Sequence, residues 1–131
     1  MCGIAGIYGA VDEVTVGKMV TAQIHRGPDG RGVWSNPEIP VTLGHCRLSI
    51  IELSAEGHQP MSYANERFWI TFNGEIYNFK ELRSELEKLG CKFRSNSDTE
   101  VILAAYLKWG RDCIKRLRGM FAFALVDRDP P

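Results

Sequence analysis

Cys2 is the residue best placed to act as a nucleophile, because it directly follows the initiator methionine. Removal of Met1 would leave a thiol and a free α-amine on the same residue. An α-amine ordinarily titrates near about 7.7–8.0, so part of it is neutral at pH 7–8 and can accept the thiol proton. N-terminal amines are established activators of nucleophiles. A cysteine at this position is also compatible with an inert packing role, and Cys2 alone does not favour the catalytic one, so other residues must decide between the two.

The segment Asn73–Asn78, with the sequence NGEIYN, offers a second chemical feature. Asn-Gly is a strong turn signal, and here it lies between a predicted strand and a predicted helix. The same pair could instead form an oxyanion site, because an Asn amide and a Gly backbone N–H are both donors and Gly has no Cβ to obstruct approach. The segment alone leaves both interpretations open.

Arg47 and Asp98 are a cation and an anion that could recognise a charged ligand. Arg47 lies among apolar residues of a predicted strand. Its side chain could extend from the strand edge to solvent, or its guanidinium could bind a carboxylate through two N–H groups. Asp98 lies where a helix should begin, and an acid in a first helical turn is favourable without any ligand. Its alternative role is to accept a ligand's ammonium group.

The elements that must position these residues are short strands followed by helices. Strands are predicted at 3–8, 32–34, 42–51, 67–72 and 120–126, and helices at 14–24, 78–89, 97–109 and 112–117. Asn78 is predicted to cap one helix, and Ser97 with Glu100 forms a capping-box pattern at another. The final strand is almost continuously apolar, which is typical of a strand covered on both faces. This order predicts an α+β fold with helices packed on mainly antiparallel sheet.

Composition narrows the class of partner and the compartment. The 131 residues, 44% of them hydrophobic, are enough for one domain with a core, and the 16 basic and 16 acidic residues balance. We therefore expect no nucleic-acid or membrane partner. Without a signal peptide or an apolar stretch of ~20 residues, the protein is expected to be cytoplasmic. The four cysteines form no C-x-x-C pair, so no metal site is predicted.

Several motifs in a fixed order resemble a known family. They are Cys2-Gly3-Ile4, His25–Asp29, Arg47–Ile50, Gln59-Pro60-Met61, Asn73–Asn78, Ser97–Glu100 and Gly119–Ala124. The set resembles the glutaminase domain of the class II glutamine amidotransferases, which are N-terminal-nucleophile hydrolases, and is most similar to glutamine-hydrolysing asparagine synthetases. The resemblance implies a four-layer αββα sandwich. It also implies that residues 1–131 are an incomplete glutaminase domain, truncated at the C-terminus, with the synthetase domain absent.

The resemblance also implies roles for individual residues of these motifs. Cys2 would attack the glutamine carboxamide, Asn73 and Gly74 would hold the oxyanion, and glutamine would be bound by Arg47, Leu48, Ile50, Ile51, Glu75 and Asp98. Ammonia would pass to a synthetase domain that makes asparagine from aspartate. No cofactor is implied for the glutaminase domain; ATP and Mg belong to the synthetase domain. A homodimer remains open.

Three alternatives accompany this prediction. The ammonia acceptor could be another carboxylate or a sugar phosphate, since other amidotransferases share the glutaminase chemistry. The chain could bind glutamine without turnover, because retention of Met1 would convert the Cys2 amine into an amide. It could also be a thiol-dependent hydrolase of a different amide, in which case Arg47 and Asp98 would be dispensable.

Overall fold

A computed structural model describes residues 1–130 as two three-stranded sheets with helices on their outer faces. The strands are β1 (Gly3–Tyr8), β2 (Gly30–Asn36), β3 (Val41–Arg47), β4 (Met61–Tyr63), β5 (Phe68–Ile76) and β6 (Gly119–Asp127). The α-helices are α1 (Glu13–Ala22), α2 (Phe79–Lys88) and α3 (Asp98–Trp109). Short 3₁₀ turns cover Ile24–Arg26, Ala55–Gly57 and Gly110–Arg116.

Both sheets are antiparallel throughout their paired strands, in the orders β1-β3-β2 and β4-β5-β6. Helix α1 covers the first sheet, where Val16 and Val20 pack directly over the bare backbone of Gly44. Helices α2 and α3 cover the second sheet through the larger hydrophobic core. The result confirms the predicted α+β class and the αββα order of layers.

The two sheets face each other through polar as well as aromatic contacts. The Thr71 hydroxyl donates to the Gly44 carbonyl at 2.8 Å, and His45 Nε2–H donates to the Phe72 carbonyl at 2.9 Å. The rings of Trp34 and Trp69 stack with their centroids 4.5 Å apart. These contacts fix strand β5 against strand β3, and β3 is also the partner of β1.

The pleat of β5 determines which side chains reach the space between the sheets. Phe68, Ile70 and Phe72 are buried in the core under the helices. Because side chains alternate between the two faces of a strand, Asn73 shares the opposite face with Thr71. Asn73 is thereby directed toward the first sheet, where β1 continues the chain from Cys2.

Several predicted boundaries were wrong. Strand β3 ends at Arg47 rather than at residue 51, so residues 48–51 lie in a loop. Strand β5 continues through Ile76, and Asn73-Gly74 is therefore part of the strand and not a turn. Gly74 pairs with Phe121 of β6, and this cross-strand pairing overrides the local turn preference. The three-residue strand β4 was not predicted.

The helices differ in detail from the prediction. Helix α1 ends at Ala22, and residues 110–116 form a 3₁₀ turn instead of an α-helix. Asn78 occupies the N-cap of α2, but its side chain bonds to the backbone of Arg116 and Arg118. Ser97 caps α3 as predicted, accepting the Glu100 N–H at 3.2 Å. Glu100 does not complete the capping box, because its carboxylate binds the Arg94 and Ser95 N–H groups.

Strand β6 is less buried than its apolar sequence predicted. Its residues are exposed or half-buried, and Met120 is 66% exposed. Within residues 1–130 it pairs with β5 alone, at the edge of the second sheet. Residues 1–130 therefore do not themselves provide the burial that this apolar run predicted.

Candidate active site

A cavity of about 230 Å³ opens where β1, β5, α3 and the loop after β3 meet. It is smaller than the pockets of about 300–1,000 Å³ that hold drug-sized ligands, and so suits a molecule the size of an amino acid. Every predicted site residue lines it: Cys2, Arg47, Leu48, Ile50, Ile51, Asn73, Gly74, Glu75 and Asp98. The structure thus brings together residues separated by up to 96 positions in the sequence.

The Cys2 thiol lies against the first residue of the loop after β3. The Leu48 N–H points at Cys2 Sγ at 3.2 Å, and Sγ lies 3.6 Å from the Leu48 carbonyl. Both backbone polar groups of Leu48 therefore contact the sulfur and fix its position. Met1 precedes Cys2 and is 54% exposed, so it is accessible to removal.

The turn at His25–Asp29 holds the two sides of this contact together. Arg26 Nε donates to the Cys2 carbonyl at 3.1 Å. The Asp29 N–H donates to the Arg47 carbonyl at 2.9 Å, and the Asp29 carboxylate accepts the Ser49 N–H at 2.8 Å. Gly27 is required here, because a Cβ would lie only 2.5 Å from the Cys46 carbonyl. The turn therefore fixes both the nucleophile and the strand that ends at Arg47.

Arg47 projects from the end of β3 over the loop that follows it. Its guanidinium donates to the Ser54 carbonyl at 2.8 Å and to the Glu52 carbonyl. Gly57 lies beneath the guanidinium, at a position where a Cβ would clash with it. No carboxylate of residues 1–130 forms an ion pair with Arg47. Its charge is therefore available to an anionic group in the cavity.

Asn73 and Gly74 carry the candidate oxyanion donors on β5. Asn73 Oδ1 is buried and accepts no hydrogen bond from residues 1–130, and the group that can donate to an oxyanion is the NH₂ of the same side chain. Gly74 has φ +150°, and a Cβ there would lie 2.1 Å from the Met120 carbonyl oxygen of β6. Only glycine fits this backbone, which identifies Gly74 as a position where the two strands approach unusually closely.

Asp98 is an acid held in a buried position at the start of α3. It is 5% exposed, and its Oδ2 accepts the Ile76 N–H at 3.0 Å. Burial raises the pKa of the carboxyl, and the nearby Glu75 carboxylate adds to the rise, while the Ile76 N–H opposes it. A buried carboxylate with a raised pKa gains most from a cation, such as an ammonium group entering the cavity.

Some residues at the site were missed by sequence reasoning. Arg26 belongs to the His25–Asp29 motif, to which the sequence alone assigned no role in the site, and its contact with Cys2 depends on tertiary packing. Gln59 and Glu52 also line the cavity. Hydrogen bonds from the Asn96 N–H, and from the hydroxyl and N–H of Ser54, lower the pKa of Glu52 to about 2. Glu52 thereby ties the loop after β3 to the residues just before α3.

Two further observations concern classes of site. Within residues 1–130, no group of three or more His, Cys, Asp or Glu side chains is arranged to hold a metal ion. No helix of that part of the chain is long and apolar enough to cross a bilayer.

Comparison with known proteins places the chain in a family. A model of the glutamine amidotransferase domain matches residues 1–130. The chain is 43% identical to asparagine synthetase [glutamine-hydrolyzing] 1 of Bacillus subtilis over 98% of its own length and 21% of that protein. It is 43% identical to the amidase chry2 of Gibberella zeae, over 80% of the chain and 16% of that protein.

A solved structure of the glutamine phosphoribosylpyrophosphate amidotransferase of Bacillus subtilis matches 98% of this chain and 35% of its own, with a TM-score of 0.77 and 21% identity. That likeness supports the fold. The chain spans about a fifth of the length of the curated relatives it matches. Because the family model covers residues 1–130, the chain belongs to the glutamine amidotransferase domain family.

Proposed function

We propose that the chain hydrolyses glutamine to glutamate and ammonia with Cys2 as the nucleophile. The observation that carries the proposal is one small cavity lined by the Cys2 thiol, the Arg47 guanidinium, the buried Asp98 carboxylate and the Asn73–Gly74 pair. Arg47 binds the α-carboxylate of glutamine and Asp98 its α-ammonium. A zwitterion needs one partner of each sign, and a site built this way rejects ligands that leave either partner unpaired.

In the first half of the reaction, the α-amine freed by loss of Met1 accepts the Cys2 thiol proton. Sγ bonds to the carboxamide carbon, and the carbonyl oxygen becomes an oxyanion held by Asn73 and Gly74. The tetrahedral intermediate collapses, the C–N bond breaks, and the α-ammonium returns the proton to the leaving ammonia. Donors fixed in advance are the main source of rate here, since they need no reorganisation.

In the second half, water attacks the γ-glutamyl thioester while the same α-amine takes its proton. Glutamate leaves as the C–S bond breaks, and the thiol is restored. The Leu48 N–H helps this step, because a hydrogen bond to sulfur stabilises the departing thiolate.

We further propose that the ammonia serves an ATP-dependent synthetase region that amidates aspartate to asparagine. The similarity to proteins named asparagine synthetase supports this acceptor. Similarity of this domain to a protein named amidase keeps other acceptors as the second candidate. A cytoplasmic location is proposed with it, because all four cysteines are unpaired and the nucleophile requires a reduced thiol.

The test is glutamine hydrolysis by the protein with Met1 removed. Glutamate and ammonia should appear in equal amounts, Cys2→Ala should abolish both, and Cys91→Ala should not. Cys91 is a suitable control because it is a buried thiol outside the cavity. Hydrolysis that persists in Cys2→Ala would contradict the proposal. Glutamine binding without turnover in the processed protein would instead support a binding domain.

A further inference from the structure

Gln59 is a buried polar residue of the cavity wall for which the proposed chemistry gives no role. It is 6% exposed, and both ends of its carboxamide are in use. Oε1 accepts the Phe72 N–H at 2.7 Å, and Nε2 donates to the Thr99 hydroxyl at 3.2 Å. A fully satisfied buried amide is a rigid link between the elements it joins, here β5 and the first turn of α3.

Phe72 needs such a link because its neighbouring strand stops short. Strand β4 pairs with β5 only as far as Met61 opposite Ile70. Pro60 comes next, and proline has no N–H to continue a ladder. Both backbone polar groups of Phe72 are instead satisfied by side chains: the N–H by Gln59, and the carbonyl by His45 at 2.9 Å.

The two side-chain hydrogen bonds to the Phe72 backbone lie directly before the oxyanion donors in the strand. The Phe72 carbonyl belongs to the peptide that enters Asn73, so fixing it fixes the plane from which the Asn73 amide projects. At the far end of the segment, the Ile76 N–H is held by Asp98 at 3.0 Å. Residues 73–75 therefore lie between two points at which the β5 backbone is hydrogen-bonded to α3. Phe72 is linked through Gln59 to Thr99, and Ile76 is bound directly by Asp98.

We propose that Gln59 is a positioning residue that sets the oxyanion donors Asn73 and Gly74, acting through the Phe72 backbone and braced by Thr99. This inference rests on the proposed glutaminase function. Gln59 touches no reacting atom in this scheme. It holds the strand in the geometry that the tetrahedral intermediate requires, and small misplacements of such donors are costly.

The test variant is Gln59→Met, which keeps the length of the side chain and removes both polar ends. We expect kcat to fall about 10- to 100-fold, with KM changed by less than about threefold, because the donors act mainly in the transition state. Thr99→Val should show a smaller effect of the same kind. The double variant should be no worse than Gln59→Met alone, because both changes break one chain of contacts.

Thr71→Val is the matched control. It removes a buried hydrogen bond from the same strand, to the Gly44 carbonyl, but Thr71 does not line the cavity. Its Tm should fall by an amount similar to that of Gln59→Met while kcat stays within about twofold. An equal fall in kcat in both variants at equal loss of Tm would show that Gln59 only stabilises the fold, and would overturn the inference.

An aldehyde analogue of glutamine, glutamate γ-semialdehyde, reports on the oxyanion site directly. Cys2 Sγ adds to its carbonyl carbon, the thiol proton ends on the oxygen, and no group leaves. Gln59→Met should weaken inhibition by this aldehyde by the same factor as kcat/KM, with glutamate affinity unchanged. If the wild-type protein neither hydrolyses glutamine nor binds the aldehyde, the proposed function fails. If it does both and Gln59→Met matches it, only this inference fails.

Discussion

Asp98→Asn tests the charge pairing on which substrate recognition depends. The substitution keeps the shape and an acceptor for the Ile76 N–H, but removes the negative charge offered to the substrate ammonium. Truncating one partner of a buried hydrogen-bonded charge pair costs about 2–5 kcal/mol. Asp98 is 5% exposed, which favours a large cost, but the substituted side chain still accepts the Ile76 N–H, which reduces it. We therefore expect a cost of about 3 kcal/mol in transition-state binding, or about a 100-fold loss in kcat/KM for glutamine.

The assay compares glutamine with 4-carbamoylbutanoate, which lacks only the α-ammonium. In Asp98→Asn, kcat/KM for glutamine should fall about 100-fold, while the value for the des-amino analogue should change by less than about threefold. Glu81→Gln is the matched control, because Glu81 is also an acid in the first turn of a helix but lies outside the cavity. An equal fall for both substrates in Asp98→Asn would refute the pairing and leave Asp98 a structural role.

The pH dependence of stability tests the charge on Asp98 independently of activity. Burial raises the pKa of Asp98 above its unfolded value of 3.8, so the unfolded chain ionises more readily than the folded one. The folded state therefore loses stability as the pH rises through the folded pKa. Asp98→Asn should have a higher Tm than the wild type at pH 7, and the difference should shrink below pH 3.8. A lower Tm at pH 7 would show that the carboxylate is a net stabilising group.

Three other substitutions test the roles of Arg47, Gly74 and His45. Arg47→Met should raise KM for glutamine about 100-fold and leave KM for 4-aminobutanamide, which lacks the α-carboxylate, unchanged. An equal rise for both compounds would show that Arg47 only holds the loop after β3. Gly74→Ala should lower kcat at least about 100-fold. Gly90→Ala, at a position with φ +93° and no atom within 4 Å of an added Cβ, should lower stability only, and equal kcat values for the two variants would contradict the close approach of β5 and β6. Burial lowers the pKa of His45 from 6.5 to about 4. The neutral ring therefore contributes its full share to the free energy of unfolding above pH 6.5, and this share is lost on acidification. Denaturant unfolding should show about 2 kcal/mol lost between pH 7 and pH 5, and His45→Gln should remove this loss.

The composition of the site could be predicted from sequence because its residues sit in local motifs of fixed order. Cys2, Arg47, Asn73, Gly74 and Asp98 were each identified in this way, and all line one cavity. Their roles stay predictions until activity is measured.

The contacts that hold the site together could not be predicted, because they join residues far apart in the chain. Gln59 meets Phe72 across the end of β4, a strand too short to give a pattern. Arg26 reaches Cys2 across 24 positions. Helix and strand periodicity describes which face a residue occupies, and contains no information on such pairs.

Two of the errors in secondary structure, at residues 73–74 and 48–51, have a common cause. Asn73-Gly74 has a strong local turn preference, but the backbone pairing with β6 continues through it. Residues 48–51 are apolar enough for a strand, yet Arg47 and the Asp29 carboxylate hold them in a loop beside the thiol. At both positions, tertiary contacts outweigh local propensity, and both positions lie in the candidate site.

The most direct test of the central claim is the intact mass of the purified protein before and after treatment with a diazo-ketone analogue of glutamine. We expect loss of Met1 and a single adduct on the wild-type protein, prevented by excess glutamine and absent from Cys2→Ala. A processed chain that takes up no adduct, or an adduct that persists in Cys2→Ala, would contradict the assignment of Cys2 as the nucleophile of a glutamine-shaped site.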